Sequence, residues 1–349
     1  MSKSARIIGV GGYRPPKITN EEYIEIFGKK ARIISEKIPH ASRFSLIDLS
    51  TGKIKTTNTE MAFEAAKAAL SMAGINENNI EMIIYSSATP DYLIPPCFTI
   101  LQEKLGIAEC MGFDIRSGCS GFGAAMISAQ QYIQTGMVHR VLVIGSELLS
   151  SRFSFLFEND KKDFPLKALY NLMLFGDGAG AVILEECATE DEGIFYSQLG
   201  STRPFVPFGS IMPVGGSIDP YPTNSIDREQ WPLSQAGPQT ETTIPEVLIE
   251  AIQKFIRQTR MSLNQFDHII LPVDSEKMLE KIGDQLPGLN LERIISISPE
   301  GGSLANAAVP LALVKAKEEQ RFKKGDKILI YAAENTRWQH GVIGLNWSL

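Results

Sequence analysis

The chain repeats itself. Ile80–Tyr85 is matched by Phe266–Leu271, and Val141–Glu147 by Ile328–Glu334, at offsets of 186 and 187 residues. Between these pairs a strand, a glycine turn and a small-residue helix also recur. In the first half they are Gly112–Arg116, a turn holding Gly118, Gly121 and Gly123, and a helix with Ala124, Ala125, Ala129 and Ile133 that ends at Gly136. In the second half they are Arg293–Ile297, Gly301–Gly302, and a helix with Ala305, Ala307, Ala308, Leu311 and Ala312. A long repeat of this kind fixes the architecture before any motif is considered. Each half is expected to build βαβ units around a mostly parallel sheet, because its strands are continuous apolar runs, as strands buried on both faces are. The two Ala/Gly-rich helices are expected to pack closely between two sheets. The halves divide at about residue 185, as 1–185 and 186–349.

Local signals fill in the frame. Thr57 and Glu60 form a capping box, and Gly74 closes the helix they begin. The stretch up to about Lys55 is polar and irregular, with weak helix signals at Asn20–Phe27. Residues 151–172 mix aromatic and charged side chains without a period and look like an excursion from the core. Residues 200–245 are rich in Pro and Gly, as functional loops and caps are. Ile244–Arg257 has the period of an amphipathic helix.

The net charge of −6 argues against general nucleic-acid binding, which needs a concentrated basic surface. The four cysteines, Cys97, Cys110, Cys119 and Cys187, form no C-x-x-C pair, so neither a disulfide framework nor a metal site is expected. Gly and Pro interrupt the N-terminus too early for a signal peptide, and no apolar run is long enough for a membrane span. A cytoplasmic location is expected.

Cys119 is the exception among the thiols. It sits in a glycine turn at the head of the first small-residue helix. There the helix dipole and free backbone N–H groups favour the thiolate, and the same N–H groups can hold an oxyanion. The other three cysteines are expected to be core residues. Ser120 has no G-x-S-x-G elbow around it and is expected to cap the helix. Gly176, Gly178 and Gly180 lack the Lys-Ser/Thr of a phosphate loop, so a structural turn is expected there.

Phe113–Asp114, Cys119–Ser120–Gly121–Phe122, Val143–Leu149, Ser87–Asp91 and, most specifically, Phe175–Ala181 resemble β-ketoacyl-acyl-carrier-protein synthase III, a thiolase-superfamily enzyme. The resemblance spans nearly the whole chain. It implies an α/β, thiolase-like duplicated α-β-α-β-α five-layer fold and a homodimer, or a heterodimer with a related chain. It also implies acyl transfer: Cys119 takes an acyl group from acyl-CoA or acyl-carrier protein, its own N–H serving the oxyanion hole, with no tightly bound cofactor. In condensing members a His and an Asn of the second half then assist decarboxylation of a malonyl thioester. Here the His position is Val273, followed by Asp274, and the Asn position is Ser303, with Asn306 as an alternative. The glycine-rich loop that follows is Ala333–Gly341 and contains His340, a candidate base. Glu300, Glu334 and Asp274 are acids near the substituted positions. Lys161, Lys162 and Lys167, or Arg321, Lys323, Lys324 and Lys327, could meet an acidic carrier protein.

Three functions follow from that pattern. The first is an acyl-enzyme that hands its group to something other than a malonyl carbanion, as relatives that esterify or amidate do. The second is ordinary decarboxylative condensation in fatty-acid or polyketide synthesis, with Ser303, Asn306 or His340 replacing the missing pair. The third is a non-catalytic subunit of an active relative.

Overall fold

The computed structural model describes residues 3–157, 165–218, 220, 233–235, 237–273 and 275–349. Strands β1 Ser4–Tyr13, β2 Met82–Ser86, β3 Met111–Ile115, β4 Arg140–Glu147 and β5 Gly178–Cys187 form one five-stranded sheet, in the order β3-β2-β4-β5-β1. Strands β6 Ile194–Ser201, β7 His268–Ile270, β8 Ile294–Ile295, β9 Lys327–Ala333 and β10 Gln339–Asn346 form another, in the order β8-β7-β9-β10-β6. In the first sheet β2 runs parallel to β3 and β4, and β5 antiparallel to β4 and β1. In the second, β7 runs parallel to β8 and β9, and β10 antiparallel to β9 and β6. The two orders and directions are the same. The repeat in the sequence is a repeat of topology, and it extends to the antiparallel edge strands β1 and β6, where no sequence match shows.

The principal helices beyond the N-terminal segment are α1 Asn58–Ala73, α2 Cys97–Leu105, α3 Gly121–Gln134, α4 Leu166–Leu174, α5 Gly237–Thr259, α6 Glu276–Gly283 and α7 Ala308–Glu318. Strand side chains alternate between faces, and both faces are apolar. Met82, Ile84, Val141 and Val143 join Phe122, Ala125 and Ala129 of α3 and Leu311 and Ala312 of α7 in a middle layer. Ile328, Ile330, Ile343 and Leu345 close that layer from the second sheet. The alternate residues Ile83, Tyr85, Leu142 and Ile144 pack on Met61, Ala62 and Ala65 of α1. Ile269, Leu329 and Val342 pack on Leu248, Ile252 and Phe255 of α5. Helix, sheet, helices, sheet, helix: the five layers are present. Small residues set the spacing. A Cβ on Gly11 of β1 would lie 2.2 Å from the Ala65 carbonyl oxygen, so only glycine lets α1 come this close.

The Thr57–Glu60 capping box and the left-handed Gly74 bound α1 as the sequence predicts. The polar N-terminal stretch is more ordered than expected. It holds helices Asn20–Phe27, with its own Thr19–Glu22 capping box, and Lys29–Ser35. Their residues Tyr23, Phe27, Ala31 and Ile34 pack with Phe153, Leu156, Leu169, Leu172 and Met173. The aromatic excursion and the N-terminal helices thus share one satellite core, which covers the strand ends. α5 begins at Gly237, ahead of the expected Ile244, and carries Pro245 inside it. Of the Pro-rich segment, Pro222 and Pro232 lie outside the described residues, as does Phe164 of the excursion. Among the described residues no helix is long and apolar enough to cross a membrane.

Candidate active site

β3 ends at Ile115, and the chain turns through Ser117, Gly118 and Cys119 before α3 starts at Gly121. Gly118 has φ +48°, and a Cβ there would lie 2.8 Å from Glu334 Oε2. The turn is therefore pressed against the loop after β9, from the other half. The Ser117 hydroxyl donates to Gln339 Oε1 at 3.0 Å across the same seam. Cys119 is half-buried, two residues ahead of the helix. Ser120 does not cap α3; its hydroxyl donates back to the Ser117 carbonyl at 2.8 Å.

Cys119 lines a cavity of about 590 Å³, and the other three cysteines do not. None of the four is in a disulfide. Burial pushes the Cys97 thiol up to about 12, and raises Cys110 and Cys187 as well. Apolar walls come from Tyr170 and Leu174 of α4 and the adjoining Phe175, from Ile244 and Pro245 of α5, and from Leu304 and Ala305 just ahead of α7 and Ala308 at its start. Polar groups reach it from Ser303, Glu334 and Asn335, and lysines from Lys37 and Lys281.

Ser303 is thus brought together with Cys119. Its N–H donates to the Leu174 carbonyl at 3.0 Å, and its carbonyl accepts from Gly176 N–H at 3.0 Å. This is the work of the Phe175–Ala181 motif: a Cβ on Gly176 would lie 2.0 Å from the Gly301 carbonyl oxygen, so the turn ties the halves together. Asp177, also in the motif, is fully buried and accepts from Leu46 N–H and Ser150 N–H, both at 2.9 Å.

The remaining candidates sit elsewhere. Asn306 is fully buried and not on the cavity wall. Its Oδ1 accepts from Ser86 Oγ at 2.7 Å and Phe122 N–H at 3.0 Å, and its Nδ2 donates to Glu147 Oε1 at 2.6 Å. His340 is in β10, not in the loop before it, and pairs with Ala333 and Gly200. Its Nε2 lies 3.3 Å from Gln198 Nε2 and its ring is stacked on Tyr331. Burial, then nearby Lys254, lowers its pKa. None of the four histidines lines the cavity. Val273 packs in the outer cluster under α5, leaving Pro272 and Ser275 on the wall; Asp274 lies outside the described residues.

The acids are engaged. Glu334 accepts from Thr336 N–H and Oγ1, from Arg337 N–H at 2.9 Å and from Gln339 N–H at 2.8 Å, so it knots the loop around itself. Those four donors occupy the oxygens a base would use. Glu300 pairs with Lys17 at 3.2 Å and with Lys315; burial alone would raise its pKa, and the two ammonium groups bring it below the usual value. Of the basic groups, Lys161 and Lys162 lie outside the described residues. Lys327 begins β9, whereas the cavity-lining Ala333 ends it, a separation of about 20 Å at the rise of a strand. That basic cluster is not at the cavity mouth.

Sequence reasoning missed the partner of Asn306. Glu147 is fully buried, its pKa raised by desolvation against hydrogen bonds that lower it. It accepts from Ala88 N–H at 2.9 Å, Thr89 N–H at 3.1 Å and Thr89 Oγ1 at 2.6 Å. A signal was present. Glu147 and Glu334 are equivalent positions of the repeat, and each gathers loop donors at the end of a central strand.

The family model described as 3-Oxoacyl-[acyl-carrier-protein (ACP)] synthase III matches residues 113–202, and its C-terminal counterpart matches residues 256–335. The chain is 31% identical over 330 residues to the β-ketoacyl-[acyl-carrier-protein] synthase III of Vesicomyosocius okutanii, covering 94% of this chain and 95% of that one. The crystal structure of 3-oxoacyl-[acyl-carrier-protein] synthase III from Aquifex aeolicus VF5 matches with a TM-score of 0.80 at 23% identity, over 98% of this chain and 100% of that chain. A tetronic acid condensing enzyme matches with a TM-score of 0.85 at 21% identity, over 98% and 99%. The two structures establish the thiolase-like fold.

Proposed function

Given that the chain belongs to the 3-oxoacyl-[acyl-carrier-protein] synthase III family, we propose that it is an acyltransferase whose acyl carrier is Cys119. The observation that carries this proposal is the thiol's position: the one cysteine on the wall of a largely apolar 590 Å³ cavity, two residues ahead of a buried helix. The thiolate attacks the carbonyl of an acyl-CoA or acyl-carrier-protein thioester. A new C–S bond forms, the donor's C–S bond breaks, and the departing thiolate takes up the proton Cys119 gave up. The oxyanion faces the N–H of Cys119 and the loop at Asn335, whose amide is not among the donors Glu334 holds. No further cofactor is needed, because the thioester supplies both acyl group and driving force.

The second half-reaction hands the acyl group to a nucleophile that arrives already activated, an amine, a hydroxyl or an acidified carbon. The support is the absence of an imidazole among the cavity-lining residues and the presence of a hydroxyl, Ser303, on the wall, at the position where the resemblance puts the family's Asn. Loss of one preorganised donor costs about 10²–10³ in rate, so decarboxylation of a malonyl thioester would be slow. The second reading, condensation with malonyl-carrier protein, is favoured by the 31% identical relative named β-ketoacyl synthase III. There Ser303 Oγ would polarise the thioester. The working unit is a homodimer in both readings; native mass would show it, or a heterodimer if a related chain co-purifies.

Intact-protein mass after mixing with a panel of acyl-CoAs and acyl-carrier proteins tests the first step, with Cys119→Ala as control. A gain equal to the acyl group, lost in the variant, supports the proposal. No gain with any donor defeats it and leaves the non-catalytic subunit. The loaded enzyme is then offered malonyl-carrier protein, amines and alcohols; release of CO₂ with a 3-oxoacyl product would select the second reading.

A further inference from the structure

We infer that Asn306 is a positioning residue that sets the nucleophile helix from the opposite half of the molecule. The role presupposes the Cys119 chemistry proposed above. α3 has no side-chain cap of its own, since Ser120 points its hydroxyl at Ser117. The cap comes instead from the chain just ahead of α7, where Asn306 Oδ1 accepts the Phe122 N–H at 3.0 Å. Phe122 is the second residue of α3 and follows Cys119 by three.

The carboxamide is suited to its place in a way no other small side chain is. One side must accept, from Phe122 N–H and Ser86 Oγ; the other must donate, to Glu147 Oε1 at 2.6 Å. Alanine does neither, and a carboxylate only accepts. Glu147 is fixed in turn by Ala88 and Thr89, so the chain of bonds runs from the β2 and β4 ends through Asn306 into the head of α3. There is no slack around it. A Cβ on Gly121 would lie 2.2 Å from Ser86 Oγ and 2.7 Å from Asn306 Oδ1, and one on Gly145 would lie 2.2 Å from the Asn306 carbonyl oxygen. Asn306 touches neither the cavity nor a reacting atom; it acts through the backbone that carries Cys119.

Three variants test this: Asn306→Ala, Asn306→Asp, and the double variant N306D/E147Q. In N306D two carboxyls face each other across one hydrogen bond, so they share a proton, and the contact fails once that proton leaves. In N306D/E147Q the polarity of that bond is reversed and the charge of the pair is unchanged: the new carboxylate accepts from Phe122, Ser86 and the new carboxamide, at the cost of the Ala88 N–H, which shares Glu147 Oε1 with Asn306. The readouts are the rate of Cys119 alkylation by iodoacetamide and the rate of acyl-enzyme formation, at 10 °C from pH 6 to 9, with Cys119→Ala as the background.

N306A is expected to slow both rates about 10–100-fold, the scale of a small misplacement of a reacting group. N306D is expected to react nearly as the wild type at low pH and to fall behind as pH rises. The double variant is expected to lose the added pH dependence and, at high pH, to react faster than N306D, while staying below the wild type because the Ala88 N–H has lost its acceptor. N306A reacting at the wild-type rate, or faster because a partial negative charge has left the helix head, overturns the proposal. So does a double variant that keeps the pH dependence of N306D, the result expected if the pair facing Phe122 and Ser86 does not set the helix head. If no acyl donor loads the wild type, the acyl-transfer proposal falls, while the alkylation arms still decide the role of Asn306.

Discussion

His40 ties stability to pH at the edge of the cavity. The ring is 4% exposed, its Nε2 is 3.3 Å from the Met173 carbonyl oxygen, and its Nδ1 has no hydrogen-bond partner. Burial, and then the nearby Arg43 guanidinium, push its pKa from 6.5 down to about 4. Because the folded value is the lower one, the unfolded chain binds the proton more tightly. The neutral ring's contribution is whole above about pH 6.5 and drains away as pH falls toward about 4. Comparing proton binding at the two pKa values gives a loss of about 0.2 kcal/mol at pH 7, about 2 kcal/mol at pH 5, and at most about 3.4 kcal/mol below pH 4, at 1.36 kcal/mol per unit. For a chain of this size 2 kcal/mol corresponds to roughly 3 °C in Tm. The assay is urea unfolding at pH 7 and pH 5 for the wild type and His40→Gln, whose amide can still donate to Met173 but does not titrate. Other groups, including His340, are common to both proteins and cancel in the difference. The wild type should lose about 2 kcal/mol more than the variant between the two pH values. Equal losses would refute the argument. Since Pro39 and Leu174, neighbours of His40 and Met173, line the cavity, the same protonation should loosen the covering core first.

Gly121→Ala forces a methyl against Ser86 Oγ and Asn306 Oδ1, and should cost about 1–3 kcal/mol in urea unfolding together with most Cys119 alkylation. Glu334→Ala strips four donors of their common acceptor; it should slow acyl-enzyme formation at least about tenfold while far-UV circular dichroism stays native, in line with the loss of a preorganised oxyanion site. Ser303→Asn places on the cavity wall the amide that the resemblance to condensing enzymes leads one to expect there. Under the malonyl reading it should raise 3-oxoacyl formation about tenfold or more; under the pre-activated acceptor reading it should leave product formation flat, as followed by mass spectrometry.

The fold was legible because the repeat imposes it. Apolar strands matched at offsets of 186 and 187 residues point to duplicated sheets, and the capping box at Thr57 and the glycine at 74 mark α1 without help from tertiary contacts. The turn and helix around Cys119 were legible for the same reason: they are local. Asn306 and His340 were misplaced because their surroundings are not local. Asn306 is claimed by Ser86, Phe122 and Glu147, which lie 159 residues or more away in sequence. His340 looked like a loop residue until pairing with Gly200 drew it into β10. That partner strand carries no repeat signal. The helices at Asn20–Phe27 and Lys29–Ser35 form against an aromatic cluster 120 residues on, which no local periodicity announces.

The two repeat-equivalent glutamates show why the site needs both halves. Glu147 ends the central strand of the first sheet, yet it holds Asn306 of the second half, and through it the head of α3. Glu334 directly follows the central strand of the second sheet, yet its carboxylate presses on Gly118 of the first half and fixes the loop opposite Cys119. Each carboxylate sits where parallel strands end, the usual place for function in such sheets. Each is costly to bury alone and is tolerated because loop N–H groups converge on it. Duplication first makes two equivalent strand ends. Divergence then gives one half the thiol and the other the supports, and the geometry around Cys119 becomes a property of the seam between them.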